Sequence, residues 1–129
     1  MQLNKQLLTT TALDSDIPVT VTLIELIGDV DGSTAPLVQA DILAATAPSV
    51  KMILDMTQVA YLSSAGLRVL LSVYRQVAAQ SGEMVLVGLT EEIQDTMSVT
   101  GFLEFFTTTA QPEAAFALLN LKAPALSGR

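Results

Sequence analysis

The 129 residues fit one domain, large enough to bury a core without disulfides, metals or obligatory oligomerisation, and half of them are apolar while 15% are charged. With no histidine and no cysteine, the chain holds neither a Ser-His-Asp nor a Cys-His nucleophilic system, nor the usual zinc ligands. A net charge of −7, with Lys5, Lys51, Arg68, Arg75, Lys122 and Arg129 as the cations, leaves no basic stripe for nucleic acid and favours a protein partner.

In chain order, two β-rich stretches between Gln6 and Ile27 flank Asp14-Ser15-Asp16-Ile17-Pro18, whose acids and proline mark the turn of a hairpin. In the second stretch Val19, Val21, Leu23 and Glu25 alternate with Thr20, Thr22, Ile24 and Leu26, so apolarity grows on both faces, as in a strand entering a sheet interior. Gly28 to Thr34 is a loop rich in capping residues, and Pro36, tolerated in a first helical turn, begins a helix expected to reach about Ala47. Pro48-Ser49 stops it, and Val50 to Asp55 reads as a central strand with Asp55 at its carboxyl end.

Beyond a connection through Ser63, Leu67, Leu70, Leu71 and Tyr74 recur at helical spacing and are expected in the core, while Arg68 and Arg75 point outward. Ser81-Gly82 ends that helix near Gln80. A strand from Glu83 to Gly88, a short helix from Glu91 to Val99 and an edge strand at Phe105-Phe106-Thr107 follow. Pro112 opens a last helix ending near Leu121. Strands alternating with helices after a hairpin imply an α/β domain, a mixed sheet flanked by helices.

The apolar bursts, such as Met52-Ile53-Leu54, are far shorter than the roughly 20 residues needed to span a bilayer. The N-terminus carries no basic cluster leading into an apolar stretch. A cytoplasmic protein without membrane insertion is therefore expected.

The glycines match neither a phosphate-cradling P-loop nor a dinucleotide fingerprint, so no cofactor and no nucleotide-driven catalysis are expected. Asp29-Val30-Asp31-Gly32-Ser33 alternates carboxylates as a calcium loop does, but the required glycine position is Thr34 and the terminal glutamate position is Ala40. The better reading is that Asp31, Ser33 and Thr34 satisfy amides at a helix start, near a functional surface because the loop follows a strand.

The most informative stretch runs Leu54-Asp55-Met56-Thr57-Gln58-Val59-Ala60-Tyr61-Leu62-Ser63-Ser64-Ala65-Gly66-Leu67-Arg68. Two serines before small residues and an amphipathic helix provide a natural N-cap, and capping accounts for one of them. This stretch resembles the switch region of the STAS domains, the sulphate-transporter and anti-sigma-factor-antagonist family. There an apolar strand leads into a loop reading Asp-Ser-Ser-Gly-Leu or a close variant. Gly28-Asp29-Val30-Asp31-Gly32-Ser33-Thr34-Ala35 is similar to the family's second marker, a glycine and an acid before the first helix.

The likeness covers about residues 6 to 121, so one domain over 1–121 is expected, with 122–129, which carries no family signal, as a flexible tail. It further implies a regulator, not an enzyme. Unphosphorylated, the chain would bind a serine kinase that is also an anti-sigma factor; phosphorylated on Ser64, it would let go until a serine phosphatase resets it. The implied partner surface is Asp31, Ser63, Ser64, Ala65, Gly66 and Arg68, and Ser63 and Ala65 stand where the family has aspartate and a second serine. Gly66 either permits close helix packing or leaves a bare patch beside Ser64 for a partner's backbone. The alternative is a constitutive accessory subunit of a transport or signalling complex, with Ser64 as a cap. A metal-assisted hydrolase using Asp31 or Asp55 is a remote third reading.

Overall fold

The computed structural model describes residues 1–124. Strands β1 (Gln2–Thr11) and β2 (Pro18–Ile27) form the hairpin, antiparallel and in register from Gln2 opposite Ile27 to Thr11 opposite Pro18. Then follow helix α1 (Ala35–Ala44), strand β3 (Lys51–Gln58), helix α2 (Ser64–Ala79), strand β4 (Glu83–Val87) and helix α3 (Glu91–Val99). Strand β5 (Thr107–Thr109) and helix α4 (Pro112–Leu118) complete the α/β domain.

The sheet order β1-β2-β3-β4-β5 repeats the chain order, with every pair after the hairpin parallel. Crossovers between parallel strands share one hand, so an order that never reverses stacks the connecting helices on a single face. Accordingly Val38 and Ile42 of α1, Val69, Val73 and Val77 of α2, and Ile93 and Met97 of α3 share one core with Ile24, Leu26, Met52, Leu54 and Leu86. Alternate strand residues point the other way. There Val21, Leu23, Ile53, Val85 and Val87 are covered by Ala115 and Phe116 of α4 and by Leu119 just after it. An order without reversal also lacks the crevice in which doubly wound sheets bind nucleotides.

Several boundaries differ from the sequence reading. α1 stops at Ala44 because the chain tightens there: the Ala45 amide donates to Ile42 O at 3.0 Å and the Thr46 hydroxyl to Leu43 O at 2.8 Å. Ala47, preceding Pro48, is also disfavoured in helical geometry. Asp55 lies inside β3, which continues to Gln58, and is 1% exposed with its Oδ1 accepting from the Thr57 amide and hydroxyl at 3.0 and 2.6 Å.

The edge strand falls at Thr107–Thr109, two residues beyond the expectation. Phe105 closes a 3-10 turn over Phe102–Phe105, and the Phe105 and Phe106 rings pack on Tyr74 at 6.2 and 5.4 Å between centroids. Tyr74 and Leu71 are thereby half-buried flanks, and the inward face of α2 is Gly66, Leu67, Val69, Leu70, Val73 and Val77. The final helix ends at Leu118 and the chain then straps back to the hairpin. The Leu13 amide donates to Asn120 O at 3.0 Å and the Lys122 amide to Thr11 O at 2.9 Å. Of the expected tail, residues 125–129 lie outside the described residues.

Candidate functional site

The two stretches singled out in the sequence lie 30 residues apart, and the sheet brings them together. β2 and β3 are parallel neighbours, so the loops leaving their carboxyl ends emerge side by side. Val30 and Leu62 form a parallel bridge, with the Val30 amide donating to Tyr61 O at 3.0 Å and the Ser63 amide to Val30 O at 2.9 Å. The Gly28 amide adds a bond to Gln58 O at 3.1 Å. These backbone bonds place Asp31 and the start of α2 on one surface.

Asp31 organises its loop. Its Oδ1 accepts from the Ser33 hydroxyl at 2.7 Å and from the Ser33 and Thr34 amides at 2.9 and 3.2 Å, while its own amide donates to Thr34 Oγ1 at 3.0 Å. The Ser33 hydroxyl first, then these two amides, hold its carboxyl below the ordinary aspartate value. These hydrogen bonds tie the carboxylate to its own loop, and no group of three His, Cys, Asp or Glu side chains placed to hold a metal ion occurs among the described residues.

At α2 the two serines divide the work. Ser63 is the N-cap, in extended conformation, and its Oγ accepts from the Gly66 amide at 3.2 Å. Ser64 is the first helical residue and is exposed. α2 carries no acid in its first turn. Arg68 lies one turn on and is exposed, as expected, and Ala65 is half-buried.

Gly66 faces inward and does not form a bare patch beside Ser64. A Cβ there would stand 2.6 Å from Leu62 Cδ1 and 2.7 Å from Val30 O, so the glycine is what lets α2 approach the Val30 loop.

Ala65 and Arg68 line an open, mainly apolar groove of about 510 Å³ between α1 and α2, with Gly32, Pro36, Gln39 and Leu43 on its other wall. The sequence reading missed that wall, since helix pairing is a tertiary fact. It also passed over Tyr61, which is 55% exposed on the loop immediately before Ser63. A large exposed aromatic inside the marked stretch is the signal that identifies it.

The chain matches the sequence model of the STAS domain over residues 12–115. A Bordetella bronchiseptica protein assigned as an anti-sigma factor antagonist, BtrV, is 33% identical over 98 residues, 75% of this chain and 84% of that protein. The crystal structure of an anti-sigma factor antagonist from Mycobacterium paratuberculosis superposes with a TM-score of 0.70 at 22% identity, covering 91% of this chain and 93% of that one. The phosphorylated form of the Bacillus cell fate determinant SpoIIAA superposes with a TM-score of 0.60 at 18% identity, over 89% and 99% of the two chains.

Proposed function

Because the chain belongs to the STAS domain family, we propose that it is an anti-sigma-factor antagonist working as a partner switch. Unphosphorylated, it binds a serine kinase that also acts as an anti-sigma factor; phosphate on Ser64 ends that binding, and a serine phosphatase restores it. The reading makes it a regulator with no turnover of its own.

The observation that carries this reading is the division of labour between Ser63 and Ser64. With Ser63 holding the cap, the Ser64 hydroxyl is exposed at the head of a helix whose first turn holds no carboxylate. Helix N-termini welcome anions through their free amides and dipole, so a phosphate there leaves the fold intact. A partner packed on Ser64, Ala65 and the α1–α2 groove would instead bury a hydrated dianion, at a cost of several kcal/mol without a dedicated cationic site.

Purification of the tagged protein from its native cell, with mass spectrometry of the bound proteins and of Ser64, tests the reading. A kinase recovered with unphosphorylated chain and missing from phosphorylated chain is the expected result. Equal recovery with Ser64→Ala, Ser64→Glu and wild type would refute the switch in favour of a constitutive subunit.

A further inference from the structure

We infer that Arg68 is the built-in counter-ion of a phosphate on Ser64, so that phosphorylation withdraws a cation from the α1–α2 groove as well as adding an anion beside it. The inference rests on the reading of Ser64 as a phosphoacceptor.

The geometry comes from α2 alone. Ser64 and Arg68 are four residues apart on one continuous helix, and both are exposed. Residues at this spacing are neighbours on a helix surface, and an acid placed N-terminal to a base is the favoured order. Long helical side chains also lean toward the N-terminus, so the guanidinium of Arg68 reaches back over the turn that begins with Ser64. Arg75 lies 11 residues from Ser64, about 16 Å along the axis, and is too far to serve.

Among the described residues Arg68 has no ion-pair partner in the unmodified protein. The ion pairs among the described residues are Lys51–Glu83 and Lys122–Asp16. Its neighbours three and four residues away are Ser64, Ala65, Leu71 and Ser72, none of them a carboxylate. The charged groups on the neighbouring elements are Asp29 and Asp31 on the loop before α1, Asp41 further along α1, Glu91 and Glu92 in the first turn of α3 and the Met1 ammonium beside Gly28, with Tyr61 on the loop before the cap. The acids among them repel a phosphate, and Asp31 already spends an oxygen on its own loop. On α2 itself the guanidinium of Arg68 is therefore the cation within one turn of Ser64, and its planar fork suits phosphate oxygens.

Two consequences separate this arrangement from simple repulsion at Ser64. The dianionic form of the phosphate is favoured, and Arg68, which lines the groove when Ser64 is bare, turns away from it when Ser64 is modified.

The test uses the full chain with phosphoserine installed at position 64 during synthesis, so that no kinase is needed. Phosphorus NMR follows the second ionisation of the phosphate in wild type, Arg68→Gln and Arg75→Gln. Arg68→Gln is expected to raise the midpoint by about 0.2–0.7 pH unit at low salt. Arg75→Gln should leave it unmoved, and the Arg68 effect should shrink in about 1 M salt, where screening acts within about 3 Å. A midpoint unchanged by Arg68→Gln, or moved equally by Arg75→Gln, overturns the inference even if Ser64 proves to be the acceptor in cells. A cell that never phosphorylates Ser64 overturns the switch while leaving the measured pair intact.

Discussion

Helices α2 and α3 both leave the sheet beneath a hydroxyl cap, Ser63 accepting from the Gly66 amide and Thr90 from the Ile93 amide, each at 3.2 Å. α3 then supplies Glu91 and Glu92 in its first turn, whereas α2 supplies no acid and presents Ser64. The third position also differs: Ile93 buries a branched side chain, while Gly66 admits none against Val30 O. One helix start carries its own complement to the dipole. The other is packed too tightly to shift and leaves its charge site open to later addition.

Giving α2 a carboxylate like that of α3 should have the largest effect. Ser64→Glu is expected to weaken binding to the recovered partner by about a hundredfold or more, with melting temperature held or slightly raised, while Ser64→Ala binds constitutively. Titration calorimetry and thermal melts on the three proteins check this; a large drop in melting temperature for Ser64→Glu would break the contrast with α3.

Next in size is Gly66→Ala, whose methyl would meet Leu62 and the Val30 carbonyl within 2.7 Å. It should cost about 1–3 kcal/mol in denaturant unfolding, the usual range for overpacking. Gly32→Ala, with nothing within 4 Å of the added carbon, should stay within about 0.5 kcal/mol of wild type. Equal costs for the two would mean that α2 can slide away from the Val30 loop.

Ser63→Ala and Thr90→Ala sharpen the shared feature, since each removes one cap hydrogen bond and should cost about 1 kcal/mol. If Thr90→Ala destabilises the protein and Ser63→Ala does not, Ser64 has taken over the cap and is no longer a free acceptor.

The smallest effect concerns the loop against which α2 is held. The Asp31 carboxyl is held below the ordinary value, so its contribution is complete at pH values above that of the unfolded chain and fades as pH falls through the lowered one. Asp31→Asn should therefore be less stable than wild type near neutrality. The gap between their melting temperatures should close as pH drops below about 4. A gap that stays constant down to pH 2 would assign the loss to altered loop geometry and not to charge.

Much of this site was legible in the chain. The Ser63-Ser64-Ala65-Gly66 run before a 3.6-residue repeat announced a capped helix start, and Asp31 with Ser33 and Thr34 announced a self-bonded loop, because such contacts span only two or three residues. Which serine caps was open, since both precede the helix by suitable steps, and only the backbone angles of Ser63 decide it. The edge strand expected at Phe105-Phe106-Thr107 begins only at Thr107 because those two rings are held by Tyr74, about 30 residues away.

By itself, the sequence determined the α/β class, the order of strands and helices, the absence of histidine and cysteine chemistry, and the local caps. These rest on periodicity, composition and short-range hydrogen bonds. The tertiary structure alone decided that Gly66 is buried against Val30, that α1 and α2 enclose a groove beside Ser64, and that the inward face of α2 runs through Val69, Val73 and Val77. Those outcomes depend on parallel pairing of β2 with β3, which sets loops 30 residues apart against each other, and a one-dimensional pattern carries no record of which surfaces will meet.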